Sequence, residues 1–256
     1  MVRSFVNVIS TAVLLLAGND PRYADETEHI PYGLLEVDGR TLLQCAIDQL
    51  RQGGMKRIII VTGQRSRSLA ALSQTPGVEV IYDALFADFG SMFALRRIAP
   101  FIHSFPFLLV ESTLLFESRV ARLAHGMTSP NGIVVAETNK AVTGILAEAT
   151  NSRLLALTRS QIPAQARSAG SYLSLGILKI SRHLFAEMLA FAVQRTYTDP
   201  FLDYVECVNG VAPAVDIRLA VASTHLWSRI NSRPDVDWAL NHLYPRILQQ
   251  QQHPSL

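Results

Sequence analysis

Two continuous apolar runs, each closed by a glycine, restrict the fold of this chain more than any other feature. Residues 12–16 run into Gly18, and residues 58–61, in a predicted strand that begins at Arg57, run into Gly63. The segment 42–50 between them carries apolar residues at the spacing of one helix face and ends before a Gly-Gly pair. A buried strand, a helix and a second buried strand form a βαβ unit, which requires a parallel sheet. The sequence therefore predicts an α/β protein with its loops at the strand ends.

The rest of the chain also alternates predicted strands and helices. Strands are predicted at 78–82, 106–110, 133–137, 174–180 and 216–221, and helices at 66–72, 118–125 and 183–194. Between 138 and 172 the pattern changes to short strand-like runs at 144–147 and 154–157, separated by polar turns. We therefore expect one domain over residues 1–248, with a small β-rich flap at about 138–172, and a frayed tail at 249–256.

Composition excludes several classes of protein. With 49% hydrophobic and 17% charged residues among 256, the chain is an ordinary folded protein. A formal net charge of +2 without a dense basic block gives no support for nucleic-acid binding. No apolar run reaches about 18 residues, so no membrane-spanning helix is expected. Polar residues interrupt the apolar N-terminus, which opposes a signal peptide. With two distant cysteines, these features predict a cytoplasmic protein.

The segment from Thr11 to Leu43 carries a longer pattern, in which a strand leads into a glycine turn, an arginine, a proline and a second apolar run. It resembles the signature LAAGxGxRLxPLTxxxPKxLLxVxGxxLL of the nucleotidyltransferases that activate sugar phosphates and phosphocholine. The run GLLEVDGRTLL is similar to the cytidylyltransferases for phosphocholine and 2-aminoethylphosphonate. The residues in register are Leu15, Ala17, Gly18, Arg22, Thr27, Pro31, Leu34, Leu35, Val37, Gly39, Leu42 and Leu43.

The resemblance implies a fold of the nucleotide-diphospho-sugar transferase type. This is a Rossmann-like, mixed but mainly parallel sheet flanked by helices. It also implies candidate nucleotide-binding residues. Ala17, Gly18 and Arg22 belong to the first loop, and Gly63 ends the second apolar run. Gly90 and Ser91 lie in a segment that resembles the family segment yNPxYxxTGSmySL. Gly90 and Ser91 open a helix whose N–H groups would meet a phosphate or a base edge, although an ordinary capping role fits them equally well.

Four positions of the family chemistry are substituted. Asp20 stands where the second loop glycine belongs, and Tyr32 stands where the family lysine belongs. Thr113 replaces the metal-binding aspartate of the family segment ESDLLFE, and Asn231 replaces the second metal aspartate of WxEIDT. In that second segment Arg229 also replaces a family glutamate. The resemblance therefore implies a fold kept with its catalytic residues degraded.

Neither replacement is a good ligand for magnesium, because this hard cation needs the charge of carboxylates. Glu111, two residues before Thr113 on the same strand face, is a weak candidate for a substitute ligand. We expect no metal and no other cofactor, with Mg²⁺ required only if the chain is an active enzyme.

Two functions of different class follow, and the sequence leaves open whether the chain is an enzyme. The first is a catalytically impaired homologue that binds or regulates a nucleotide, a phosphorylated compound, a protein partner or a second copy of itself. The second is an active cytidylyltransferase-like enzyme that transfers a nucleotidyl group to a phosphorylated or phosphonate small molecule and releases pyrophosphate. A glycosyltransferase is a third alternative, but residues 111–113 lack the D-x-D pair that most such enzymes use.

Overall fold

The computed structural model describes residues 9–16, 32–63, 67–85, 89–137, 142–162, 170–195 and 198–252. Predicted site residues Ala17, Gly18, Asp20 and Arg22 lie outside these ranges. The strands are β1 Thr11–Leu16, β2 Glu36–Val37, β3 Arg40–Thr41, β4 Arg57–Thr62, β5 Val78–Tyr82, β6 Phe107–Glu111, β7 Leu114–Phe116, β8 Gly132–Ala136, β9 Val142–Thr150, β10 Arg153–Ile162, β11 Ser171–Ile180, β12 Arg218–Val221 and β13 Trp227–Arg229.

Eight α-helices accompany these strands within the described ranges. They are α1 Leu42–Gln52, α2 Arg67–Leu72, α3 Ser91–Ile102, α4 Ser118–His125, α5 Arg182–Arg195, α6 Tyr204–Val211, α7 Arg233–Trp238 and α8 Tyr244–Gln252. A short 3-10 turn covers Tyr32–Leu34, and a π-helical turn, Ala239–Leu243, joins α7 to α8. None of the described helices is long and apolar enough to cross a membrane.

The main sheet has the order β5-β4-β1-β6-β11-β8-β12-β10-β9. Its first four strands are parallel, as the βαβ pattern predicts, and β11 then runs antiparallel to both β6 and β8. Strand β9 also pairs with β11, so the end of the sheet curls back on itself. The predicted mixed, mainly parallel α/β sheet is confirmed for this part of the chain.

Burial follows from the alternation of side chains along the central strand. In β1, Val13 and Leu15 belong to the apolar cluster that contains residues of α3, α5 and α6. Leu14 and Leu16 belong to the opposite cluster, which contains residues of α1, α2 and α4. Because both faces are covered, every residue of β1 is apolar or buried, and the strand reads as a continuous apolar run.

The segment predicted as a flap forms a long antiparallel hairpin of β9 and β10. Helix α8 continues to Gln252, past residue 248, while the predicted extent of the domain stays a prediction. Ile247 is buried and Leu248 is half-buried, so the last turns are held by packing, and glutamine is a favourable helix residue. Only 253–256 of the predicted tail lie beyond the described chain.

Strand β11 contains an irregularity next to the carboxyl end of β6. Ser174 pairs with Val135 of β8, yet Ile177 pairs with the adjacent Val134, so two residues of β11 bulge out of the ladder. One of them, Gly176, has a φ of +81°, a conformation that suits glycine. A Cβ atom at this position would lie 2.8 Å from Oε2 of Glu111. The bulge therefore brings backbone against this carboxylate.

We expect Gly176→Ala to destabilise the protein more than Gly39→Ala, a control with similar backbone geometry. Gly39 has a φ of +70° and nothing within 4 Å of a Cβ, so only backbone strain of about 1 kcal/mol is expected there. Gly176→Ala adds the contact with Glu111, which should cost roughly another 1–3 kcal/mol. Urea unfolding of both variants measures the difference, and equal losses would show that the close approach is unimportant.

Candidate active site

The carboxyl ends of the parallel strands form one edge of the sheet, where the predicted site residues gather. Gly63 follows β4 directly, and Glu111 is the last residue of β6. Tyr32 opens the 3-10 turn, whose next residue, Gly33, packs so closely on this edge that a Cβ there would lie 2.5 Å from Leu16. The described part of the predicted site therefore collects where doubly wound folds bind their ligands.

Two positions that the resemblance assigns to metal aspartates are neighbours in the structure. Strands β7 and β13 pair antiparallel, and the backbone N–H of Ile230 donates to the Thr113 carbonyl at 2.8 Å. Thr113 and Asn231 thus lie on adjacent segments at the same edge. The pairing of β7 with β13 would bring two carboxylates together if both positions were aspartates, but neither Thr113 nor Asn231 carries a carboxylate.

The segment after β13 is held by its own capping contacts. The N–H of Asn231 donates to Oδ2 of Asp235 at 2.9 Å, and the N–H of Asp235 donates to Oγ of Ser232. Ser232 is the N-cap of α7, as its sequence predicts. Asp235 therefore stabilises the start of this helix. Across the described ranges, no group of three or more His, Cys, Asp or Glu side chains is placed to hold a metal ion.

Glu111, the predicted substitute ligand, is engaged by two other side chains. The Arg229 guanidinium forms an ion pair with Oε2, and the Tyr204 hydroxyl donates a hydrogen bond to Oε1. The Arg229 guanidinium also reaches the Ser174 carbonyl at 3.4 Å. Both ends of the ion pair are largely buried, with 15% of the Glu111 side chain and 16% of the Arg229 side chain exposed. The carboxylate charge is thus neutralised within the chain.

Burial and charge act in opposite directions on this cluster. Burial alone would raise the pKa of Glu111, but the charge of Arg229 and the Tyr204 hydrogen bond outweigh it and hold the pKa below its usual range. Burial, with the nearby Glu111 charge, raises the pKa of Tyr204 well above its ordinary value, so the hydroxyl keeps its proton. At neutral pH the cluster holds a carboxylate, a guanidinium and a neutral phenol. It offers no free anionic ligand to a metal ion.

A second arginine lies close enough to influence Glu111. Arg159, on β10, donates to Oδ2 of Asp203 at 2.8 Å, and its charge helps to lower the pKa of Glu111. Part of the Arg159 side chain is exposed, at 39%. The curled end of the sheet therefore places a partly accessible guanidinium beside the cluster, and a guanidinium suits the recognition of phosphate.

The start of α3, where Gly90 and Ser91 lie, is partly occupied by the chain itself. The N–H groups of Gly90 and Met92 donate to the carbonyls of Pro200 at 3.1 Å and Leu202 at 3.2 Å. A Cβ at Gly90 would lie 2.2 Å from the Leu202 oxygen, so glycine is required there. Two donors of this helix start are therefore used in packing. A contact between Ser91 and a nucleotide stays a prediction.

The sequence did not predict the cluster around Glu111. The available signal was the charge reversal at Arg229, where the family carries a glutamate. A buried arginine needs an anionic partner, but Glu111 is 118 positions away in sequence, and β13 does not pair with β6. The contribution of Tyr204 carries no sequence signal, because buried tyrosines are common in cores.

We expect Arg229→Met to lower the free energy of unfolding by about 3–5 kcal/mol at pH 7, because it leaves Glu111 buried without its cation. The matched control is Arg57→Met, which removes the guanidinium from a more exposed pair with Glu79 and should cost about 1 kcal/mol or less. Urea unfolding measures both losses, and equal costs would contradict the role of Arg229.

The pH dependence tests the same interaction. In the parent protein the folded pKa of Glu111 lies below its usual value of about 4.3, so its stabilising contribution is complete above that pH and disappears as the pH falls through the folded pKa. Without Arg229, burial should raise this pKa, and the variant should regain stability as Glu111 is protonated. We therefore expect the difference in the free energy of unfolding between Arg229→Met and the parent protein, measured in urea, to be smaller at pH 5 than at pH 7.

The sequence of this chain is similar to a known family and to curated proteins. Residues 12–196 match the family model of the MobA-like NTP transferase domain. The chain is 29% identical over 84 residues to the choline-phosphate cytidylyltransferase of Streptococcus pneumoniae, covering 33% of this chain and 37% of that protein. It is 26% identical over 92 residues to the Haemophilus influenzae protein of the same name, covering 36% and 40%. The matched segments thus span less than half of either curated relative.

Solved structures share the fold over nearly the whole chain. The inositol-1-phosphate CTP transferase from T. maritima superposes with a TM-score of 0.75 at 14% identity, covering 94% of this chain and 96% of the other. The CTP:phosphocholine cytidylyltransferase from Streptococcus pneumoniae gives 0.72 at 14% identity, covering 91% and 99%. A UDP-glucose pyrophosphorylase complexed with UDP-glucose gives 0.73 at 15% identity, covering 93% and 99%.

These likenesses confirm the predicted nucleotide-diphospho-sugar transferase type of fold. The predicted resemblance to choline-phosphate cytidylyltransferases is confirmed at the level of family and relatives. With a family model that spans most of its length and a sheet shared with solved nucleotidyltransferases, the chain belongs to the MobA-like NTP transferase domain family.

Proposed function

We propose that this chain binds a nucleotide or a phosphorylated small molecule without transferring a nucleotidyl group, and that it acts by binding or regulation. The observation that carries the proposal is the state of the carboxylates at the site. Thr113 and Asn231 are adjacent and uncharged, while Glu111 is paired with Arg229 and Tyr204. To bind Glu111, a divalent cation would have to break this buried ion pair.

The size of the expected loss supports this conclusion. Removing a single electrostatic donor from an active site typically lowers the rate by about 10²–10³. Here the family lysine and both metal aspartates are replaced together, by Tyr32, Thr113 and Asn231. Such losses are not additive, yet together they remove most of what stabilises charge in the transition state. Asp20 in the loop would add repulsion between its carboxylate and a triphosphate.

Binding itself has support from the arginines. Arg159 is partly exposed beside the site, and its guanidinium carries a permanent charge. Arg22, which lies outside the described residues, is a second candidate from the resemblance. Guanidinium groups bind phosphate oxygens without a metal ion. The proposed ligand is therefore a nucleotide such as CTP or a phosphorylated compound such as phosphocholine, held without magnesium.

The cellular setting is part of the same proposal. Cys45 and Cys207 are both buried and unpaired. Two free thiols fit a reducing compartment such as the cytoplasm.

We infer that ligand binding is detected by a protein partner or by a second copy of the chain, which binds the liganded form.

Calorimetric titration with CTP, in magnesium and in EDTA, tests the proposal directly. We expect the same dissociation constant in both solutions and no release of pyrophosphate when phosphocholine is added. Phosphocholine alone is titrated in parallel. If neither compound binds, the ligand class is wrong. Magnesium-dependent consumption of CTP with release of pyrophosphate would instead establish the active cytidylyltransferase alternative.

Restoring the carboxylates gives a sharper prediction. The double variant Thr113→Asp with Asn231→Asp returns two charges to adjacent segments, so CTP should bind at least tenfold more tightly in magnesium than in EDTA, a difference of about 1.4 kcal/mol. Thr113→Asn is the control, since asparagine has the shape of aspartate without its charge. If the double variant gains no dependence on magnesium, loss of these carboxylates is not what separates this chain from its relatives.

A further inference from the structure

A large cavity lies at the opposite edge of the sheet from the candidate active site. Its volume is about 1590 Å³. Ile9 and Pro106, which precede β1 and β6, line it together with Asn131 before β8 and Lys179 near the end of the antiparallel β11. These residues all mark the amino-terminal edge of the parallel strands. The cavity is therefore separate from the edge that carries Thr113 and Glu111.

The described lining combines apolar surface with polar groups, and its charged or protonatable groups are all basic residues or histidines. Met127, Ala186 and Leu189 contribute apolar surface. No Asp or Glu occurs among the described lining residues. The basic and histidine side chains of this lining are Arg96, His103, His125, Lys179, Arg182 and His183. Such a cavity complements a ligand that is both apolar and negatively charged.

Lys179 is the most informative of these groups. It is 7% exposed, and its Nζ donates to the Met127 carbonyl at 2.6 Å and to the His125 carbonyl at 3.4 Å. No ion pair of Lys179 with a carboxylate occurs within the described chain. Burial lowers the pKa of Lys179. A buried ammonium is costly unless an anion compensates it, and here the cavity beside it is where an anion would fit.

Lys179 is also rigidly placed. It belongs to β11, in register with Leu108 of β6 on one side and Gly132 of β8 on the other. Sites on strands hold a charged group more precisely than sites on loops. The two ladders thus fix the backbone of Lys179, and the carbonyls of His125 and Met127 hold its ammonium in the wall of the cavity.

We propose that this cavity binds an amphiphilic anion, whose acidic group pairs with Lys179 and whose aliphatic or aromatic body packs on Met127, Ala186 and Leu189. Arg182 and His183, at the start of α5, provide further positive or protonatable groups around the opening. The volume exceeds the roughly 300–1,000 Å³ of common small-molecule sites, so an extended apolar body fits. This proposal is independent of the function proposed for the opposite edge.

Fluorescence titration of the full chain with anilinonaphthalene sulfonate tests the site, and phenylnaphthylamine is the matched probe without the sulfonate. We expect saturable binding of one sulfonate probe, displaced by decanoate but far less by decanol. Equal affinity of the charged and uncharged probes would show that the cavity selects no anion and would overturn the proposal.

Variants of Lys179 test whether its ammonium is the group that binds the acidic end of the ligand. Lys179→Met removes the ammonium but keeps an unbranched side chain, and we expect it to weaken the sulfonate probe at least tenfold while leaving the uncharged probe unchanged. Lys179→Arg should restore most of the affinity. An unchanged circular dichroism spectrum and an unchanged urea midpoint of unfolding report that each variant is folded.

A second variant keeps the test decisive if Lys179→Met does not fold. Arg182→Gln lies on the exposed first turn of α5 and should weaken the sulfonate probe by several-fold, without affecting the uncharged one. Unchanged sulfonate affinity in all the variants that fold would refute the proposal. The proposal would also be refuted if removal of residues 2–8 made both probes bind much more tightly, because the N-terminal residues of the chain would then be the natural occupant of the cavity.

Discussion

A buried carboxylate at the end of the central strand governs the candidate active site. Glu111 is contacted by Arg229 from β13, by Tyr204 from α6 and by the bulge of β11 at Gly176. A carboxylate in this position cannot stay charged without a cation. Here the Arg229 guanidinium supplies that cation, so the charge of Glu111 is balanced within the chain.

The large elements of the fold could be predicted from the sequence, because burial on both faces of a parallel strand leaves a continuous apolar run. The apolar runs 12–16 and 58–61 predict strands in this way, and the structure has them in β1 and β4. The N-cap of α7 is equally local, since the Ser232 side chain accepts from the N–H of Asp235 only three residues away. Local chemistry and burial were sufficient for this level of structure.

The site could be predicted only as far as the resemblance reaches. Thr113 and Asn231 were aligned with metal aspartates, and the pairing of β7 with β13 does bring them together. The partner of Glu111 was not predicted, because a contact between residues more than a hundred positions apart depends on the packing of non-adjacent strands. The basic cavity at the other edge was missed for the same reason. Its charged residues come from α3, α4, β11 and α5, and no local pattern groups them.

The bulge in β11 has a mechanical consequence. This strand pairs with β6 and β8 at one end and with β9 of the hairpin at the other, so it is a continuous rod between the core and the curled end of the sheet. The ladder to β8 is interrupted only between Ser174 and Ile177. The hairpin also joins the sheet through the pairing of β10 with β12, but only the irregular part of β11 lies against the Glu111 carboxylate, at Gly176. The same few residues of β11 therefore set both the path of the strand that carries the hairpin and the position of the buried ion pair.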